Sequence, residues 1–319
     1  MAKILNWEGE LEIKRLSEDQ FTNVSPLWDW NYREFIAGPV LMAHCLKAAT
    51  YTLANPDDFF MNSLNTTFMR AGSHQHAVIY NVQRLGDGKN ICSRLVQVKQ
   101  GDKLLTSCTI TFKKRGTTDG SVRLRHAIKR RVVNEDGSPI RPPHDSEDAY
   151  KSIKVPGSGG NIQVVKAGVP AKTIIPSSNP IGVTWARILN KVSAPTSDRL
   201  THMMGLIYAT DVGILDAAPR VMGMDPLSPT VPGTTHSPDF DTLLSLNHTV
   251  HVYDPERWRC DEWFYSESEL PWASPDGRLI LDATFFHPGG EANCQCEGSE
   301  GLAEDKVSAA AARPEKGRL

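Results

Sequence analysis

Residues 34–114 set out an order of elements that residues 181–298 set out again, and that duplication restricts the fold more than any single motif does. In the first stretch an apolar helical run (36–53) precedes an extended segment (60–69) and three more alternating segments. In the second, a strand-like stretch (181–192) leads into a helical run (200–217), an extended segment (243–253) and further strands as far as Cys296. One helix followed by a run of antiparallel strands, used twice, predicts an α+β chain of two similar units sharing one sheet system.

Local chemistry fits that order. Gly38-Pro39 opens the first helix, because a proline in the first turn has no N–H to leave unpaired, and Asn55-Pro56 ends it. Gly86-Asp87-Gly88 and Gly101-Asp102 close hairpins, and the strand before Phe112 is rich in Thr106, Thr109, Ile110 and Thr111. Residues 118–180 are punctuated by Gly, Pro and Ser and read as a linker. The expected units are therefore 1–117 and 181–298, with residues 299–319 as a disordered tail.

Bulk properties exclude several classes. A chain of 319 residues, 40% hydrophobic and 23% charged, has the length and composition for two folded cores. A formal charge of −2 gives no electrostatic case for nucleic acid, and the densest basic run, Arg123 to Arg131, reads as solvated linker balanced by Asp145, Glu147 and Asp148. No apolar stretch reaches the ~18 residues of a membrane span. Met1 to Trp7 runs straight into Glu8, Glu10 and Glu12, unlike a secretory leader. The 6 cysteines are then expected as reduced thiols of an intracellular protein, with no metal or other cofactor implied.

Several segments resemble the acyl-CoA thioesterase II (TesB-like) family. Arg33-Glu34-Phe35-Ile36-Ala37-Gly38 is similar to the lead-in of its central helix, Phe68-Met69-Arg70-Ala71-Gly72 to its "F-L-R-P-G" strand end, and residues 79–88 to its "Y-x-V-x-x-L-R-D-G" hairpin. Ser93-Arg94-Leu95-Val96 with Gln100-Gly101 resembles "S-x-R-x-V-x-x-x-Q-x-G". In the second unit, residues 206–211 resemble "A-Y-x-S-D" and residues 246–252 resemble "L-D-H-x-x-W-F-H". The resemblance implies a double hotdog, two curved antiparallel sheets each wrapped around a central helix. It also implies hydrolysis of an acyl-CoA to free acid and CoA. The chain would carry its own pair of hotdogs, a pseudo-dimer, with further self-association open.

By that resemblance an Asp, a Ser or Thr and a Gln handle the attacking water. The family's Asp is matched here by Asn247; the Ser/Thr position falls on Leu270, with Ser268 two residues earlier on the same strand face, and the Gln position on Cys296, with Gln295 one residue out of register. An amide orients a water but takes no proton from it. Candidate carboxylates for the missing base are Glu267, Glu269 and Asp211, with solvation the favoured reading for the two glutamates and packing for the Cys296 thiol. Gly38, His248 and Asp211 are the expected substrate-binding positions. The alternative keeps the fold without hydrolysis, as a dehydratase, isomerase, cyclase or small-molecule binder. The cytosol is the expected location, and the terminal Gly317-Arg318-Leu319 loosely resembles a peroxisomal address.

Overall fold

The computed structural model describes residues 7–27, 35–116, 128–142, 153–154, 162–166, 171–173, 181–188, 192, 199–214, 240–287 and 292–305. A short helix α1 (Trp7–Glu10) precedes the hairpin of β1 (Ile13–Ser17) and β2 (Gln20–Asn23). Helix α2 (Gly38–Thr50) then leads into β3 (Phe59–Phe68), β4 (Ile79–Asp87), β5 (Ile91–Gln100) and β6 (Lys103–Lys114). Short strands follow: β7 (Val132–Asn134), β8 (Ile153–Lys154), β9 (Ile162–Lys166) and β10 (Ala171–Thr173). The second half comprises β11 (Gly182–Ile188), α3 (Arg199–Ile214), β12 (Phe240–Ser245), β13 (Asn247–Val252), β14 (Phe264–Ala273), β15 (Arg278–Phe286) and β16 (Ala292–Asp305).

The two halves share one antiparallel sheet. Its order is β1-β2-β4-β5-β6-β3-β13-β16-β15-β14-β11-β9-β8, with β12 paired to β16. The seam is the β3–β13 ladder, in which Asn247 faces Thr67 and His251 faces Ser63. On β13 the alternation buries His248, Val250 and Val252 while Asn247, Thr249 and His251 stay half-buried, so one face meets the core and the other does not. Helix α2 is buried from Pro39 to Leu46 and again at Ala48 and Ala49, because it lies between its own strands and α3.

Polar groups inside this core are tied down. The Nε2–H of His44 donates to the Glu10 carbonyl (2.9 Å) and the Tyr80 hydroxyl donates to Nδ1 (2.8 Å). Burial lowers the His44 pKa to about 4, which keeps the ring neutral and Nδ1 free to accept. The fully buried Arg94 guanidinium donates to Thr52 Oγ1 and to the Gly86 carbonyl, and pairs with Asp87 at 2.5 Å. Cys45, Cys92, Cys108 and Cys260 are buried free thiols.

Four expectations change here. Arg130 and Arg131 are not solvated linker: Arg130 lies over the rings of Tyr265 (4.4 Å) and Trp185 (5.5 Å) and donates to the carbonyls of Ile140 and His287. Glu267 is not solvated either. It is fully buried and accepts from Arg131 N (2.9 Å), Val132 N (3.0 Å) and the Tyr265 hydroxyl (3.1 Å), while Arg131 also bridges to Glu269 at 2.6 Å. The physical reason is a second, smaller core. Val132 and Ile140 cover Val183, Trp185, Tyr265 and Phe286, so charges caught beneath them must pair. Within the segment read as linker, β9 joins the main sheet beside β11 and β7 pairs with β10. Past residue 298, β16 continues to Asp305 against β12, so the first residues of the expected tail are strand. Arg123, Asp145, Glu147, Asp148, residues 306–319 and their terminal Gly317-Arg318-Leu319 lie outside the described residues.

Candidate functional site at the meeting of two helices

Ala37 lacks a side chain able to cap α2, and no side-chain hydrogen bond caps it. Gly38 opens the helix, so its N–H has no carbonyl one turn back, Pro39 has no N–H, and Val40 N–H is taken by the Ala37 carbonyl at 3.2 Å. The positive end of α2 thus presents the Gly38 N–H. Beside Gly38 is a carboxylate from the other half. A Cβ at position 38 would stand 3.3 Å from Asp211 Oδ2 and 3.1 Å from the Phe68 ring, so glycine is what lets the three approach.

Asp211 sits in the last turns of α3 and is buried. Its Oδ1 accepts from the Ser245 hydroxyl at 2.7 Å. The Thr210 hydroxyl donates to the Ile207 carbonyl (2.8 Å), which leaves its oxygen to accept from His248 Nε2–H (2.9 Å). That contact fixes the His248 ring, whose Nδ1 stands 3.8 Å from Asp211 Oδ1. Tyr208, one turn earlier on α3, is pushed to a high pKa by burial and then by the charges of Glu10 and Asp211, so it stays a neutral phenol. Among the described residues the corner therefore holds one carboxylate, one hydroxyl on it and one backbone donor.

The expected residues divide accordingly. Gly38, Asp211 and His248 come together. Asn247, Ser268 and position 295 stand at separate places in the sheet register. Asn247 starts β13 opposite the exposed Thr67. Ser268, buried, lies in a row with Ala283, Cys296 and Val250, whereas position 295 lies in the next row with Thr284 and His251. Adjacent rows belong to opposite faces of a pleated sheet. Ser245 was not among the expected residues. Its signal was a hydroxyl two positions before Asn247, at a place where β12 ends and β13 begins rather than within one strand.

Two units, each with a helix against antiparallel strands and joined edge to edge, define the class as a double hotdog. The sequence comparisons then give the family. Residues 28–113 match the family described as acyl-CoA thioesterase N-terminal domain, and residues 134–297 match the acyl-CoA thioesterase C-terminal domain. The chain belongs to the acyl-CoA thioesterase family, and it is an acyl-CoA thioester hydrolase. It is 23% identical over 290 residues to acyl-coenzyme A thioesterase 8 of Mus musculus, covering 85% of this chain and 80% of that protein. It is 33% identical over 108 residues to peroxisomal acyl-coenzyme A thioester hydrolase 1 of Saccharomyces cerevisiae, covering 34% of this chain and 30% of that one. The fold is similar to acyl-CoA thioesterase II TesB2 from Mycobacterium marinum, with a TM-score of 0.67, 18% identity, and 98% and 99% of the two chains covered. No described helix is long and apolar enough to cross a membrane.

Proposed function

We propose that this chain hydrolyses acyl-CoA thioesters at the Asp211–Gly38 corner, with Asp211 as the general base that the amide of Asn247 cannot provide. The observation that carries the reading is the position of Asp211 Oδ2, 3.3 Å from the site of a Cβ on Gly38, at the open end of α2. The thioester carbonyl oxygen accepts from the Gly38 N–H, where the helix end favours the negative charge that develops on attack. A water held by Asp211 adds to the carbonyl carbon as its proton passes to the carboxylate. Collapse breaks the C–S bond, and the same proton returns to the departing sulfur, giving acid and CoA thiol. Ser245 holds Oδ1 and so aims the other oxygen at the water. His248, held by Thr210, positions the carboxylate side of this corner.

Thiol release from acyl-CoA by wild type and by Asp211→Asn tests this. The variant keeps the shape and the Ser245 contact and loses the base, so kcat should fall by about a thousandfold. A variant that retains most of its activity would remove Asp211 from the chemistry. The cytosol is the proposed compartment, with the peroxisome as the alternative that the name of the Saccharomyces cerevisiae relative supports.

A further inference from the structure

An open cavity of about 520 Å³ lies at the far end of β3, lined by Met69, Arg70, Asp102, Lys103 and Leu104. Arg70 and Lys103 are both exposed, and among the described residues neither cation forms an ion pair, with Asp102 or with anything else. Two cations against one anion leave the lining net positive. Met69 and Leu104 add an apolar wall suited to the face of a heterocycle.

The cavity is fixed to the candidate site. Phe68, whose ring meets Gly38 beside Asp211, is followed by Met69 and Arg70, and both of their N–H groups donate to the Leu105 carbonyl (2.8 and 3.2 Å). Arg70 is thus two residues from Phe68, in a bend that the shared Leu105 carbonyl holds. Gln100 pins the next loop: it donates to the carbonyls of Ser73 and His76 and accepts from Ser73 N, each at 2.9 Å. Gly72 closes the corner, since a Cβ there would come within 2.5 Å of Leu105 and 2.8 Å of Ile36, in the lead-in of α2. A bonded path therefore joins the start of α2 to two cations that pair with no described residue.

From this we infer that Arg70 and Lys103 take the phosphates of the coenzyme A nucleotide, the 3′-phosphorylated adenosine diphosphate, while the acyl end lies at Asp211. The inference rests on the thioesterase reading for its substrate. A phosphopantetheine on a carrier protein shares one phosphate with coenzyme A but lacks the nucleotide, and two separate cations favour the nucleotide.

The experiment has two arms. In the first, Arg70→Ala, Lys103→Ala and the double variant are assayed on an acyl-CoA and on the same acyl group carried by N-acetylcysteamine, which has no phosphate. The ratio of the two kcat/KM values should fall about tenfold for each single variant, mostly through the acyl-CoA KM, and this loss should shrink at high salt. An unchanged ratio overturns the inference. In the second arm, 3′-phospho-ADP is titrated calorimetrically into the unmodified protein and the double variant, with no thioester present. Binding that the double variant loses supports the site even if no thioester is cleaved. A protein that hydrolyses acyl-CoA but does not bind 3′-phospho-ADP, or that prefers acyl groups on a carrier protein, refutes it and leaves the proposed reaction standing.

Discussion

Asp211 and Glu267 belong to the same half of the molecule, and both are buried carboxylates. Their surroundings separate them. Glu267 receives donors on both oxygens, from Arg131 and Val132 backbone N–H groups, the Arg131 side chain and the Tyr265 hydroxyl. Among the described residues Asp211 receives one hydroxyl, on Oδ1, and its Oδ2 lies beside Gly38 at the start of a helix. A carboxylate whose lone pairs are all engaged is part of the frame, because a proton could reach it only by displacing those donors. One with a lone pair left over, next to a positive helix end, can take a proton from water. Burial alone does not distinguish a base from a brace; the count of donors does.

That contrast can be broken most directly by exchanging the two losses. Asp211→Asn should cost about a thousandfold in kcat and little stability, whereas Glu267→Ala should cost about 3 kcal/mol of stability and leave turnover per folded molecule near wild type. Urea titration beside thiol release checks both, and a Glu267 variant that folds normally but is inactive would reverse the assignment. A third buried ionisable group sharpens the comparison from the first half. The His44 pKa is held at about 4 by burial, against 6.5 for an unfolded histidine. The unfolded chain therefore takes up a proton that the folded chain refuses. His44 should contribute its full share above pH 6.5 and lose about 3 kcal/mol of stability as the pH falls to about 4. In His44→Gln that slope should flatten, and denaturation midpoints across this range measure it. The smallest effect is expected at Asn247. A carboxylate placed there by Asn247→Asp starts β13 at a half-buried position and should alter kcat/KM by no more than about twofold.

Much of this was legible in the residues. The repeated helix-then-strands order located α2, β3 to β6, α3 and β13 to β15, because period and turn chemistry are local properties. The hairpin expected at Gly101-Asp102 joins β5 to β6 by a turn in which Gly101 has φ 57°. Glu267 and Arg131 were misread for a non-local reason. Residues 136 apart in sequence meet through a strap that covers the outer face of the sheet, and no pattern within either segment announces it. The candidate site was half legible. Asp211 stood out through its match to the family's helix motif and Gly38 as a glycine at a helix start. Ser245 did not, because its approach to a carboxylate 34 residues away depends on a break between β12 and β13 at Leu246.

The seam between β3 and β13 also determines how the molecule must be assembled. Asn65 and Thr249 bond across it, although 184 residues separate them. At ribosomal rates that separation is about ten to thirty seconds of synthesis, during which β3 has emerged and its eventual neighbour has not. Throughout that interval the nascent first half shows an unpaired strand edge, to which β strands of other chains can add. The polar residues on the outer side of that strand, Asn62, Asn65 and Thr67, make the waiting edge a poor template for apolar association. The chain thus carries on the strand that will complete its own pairing the means of surviving until the partner arrives.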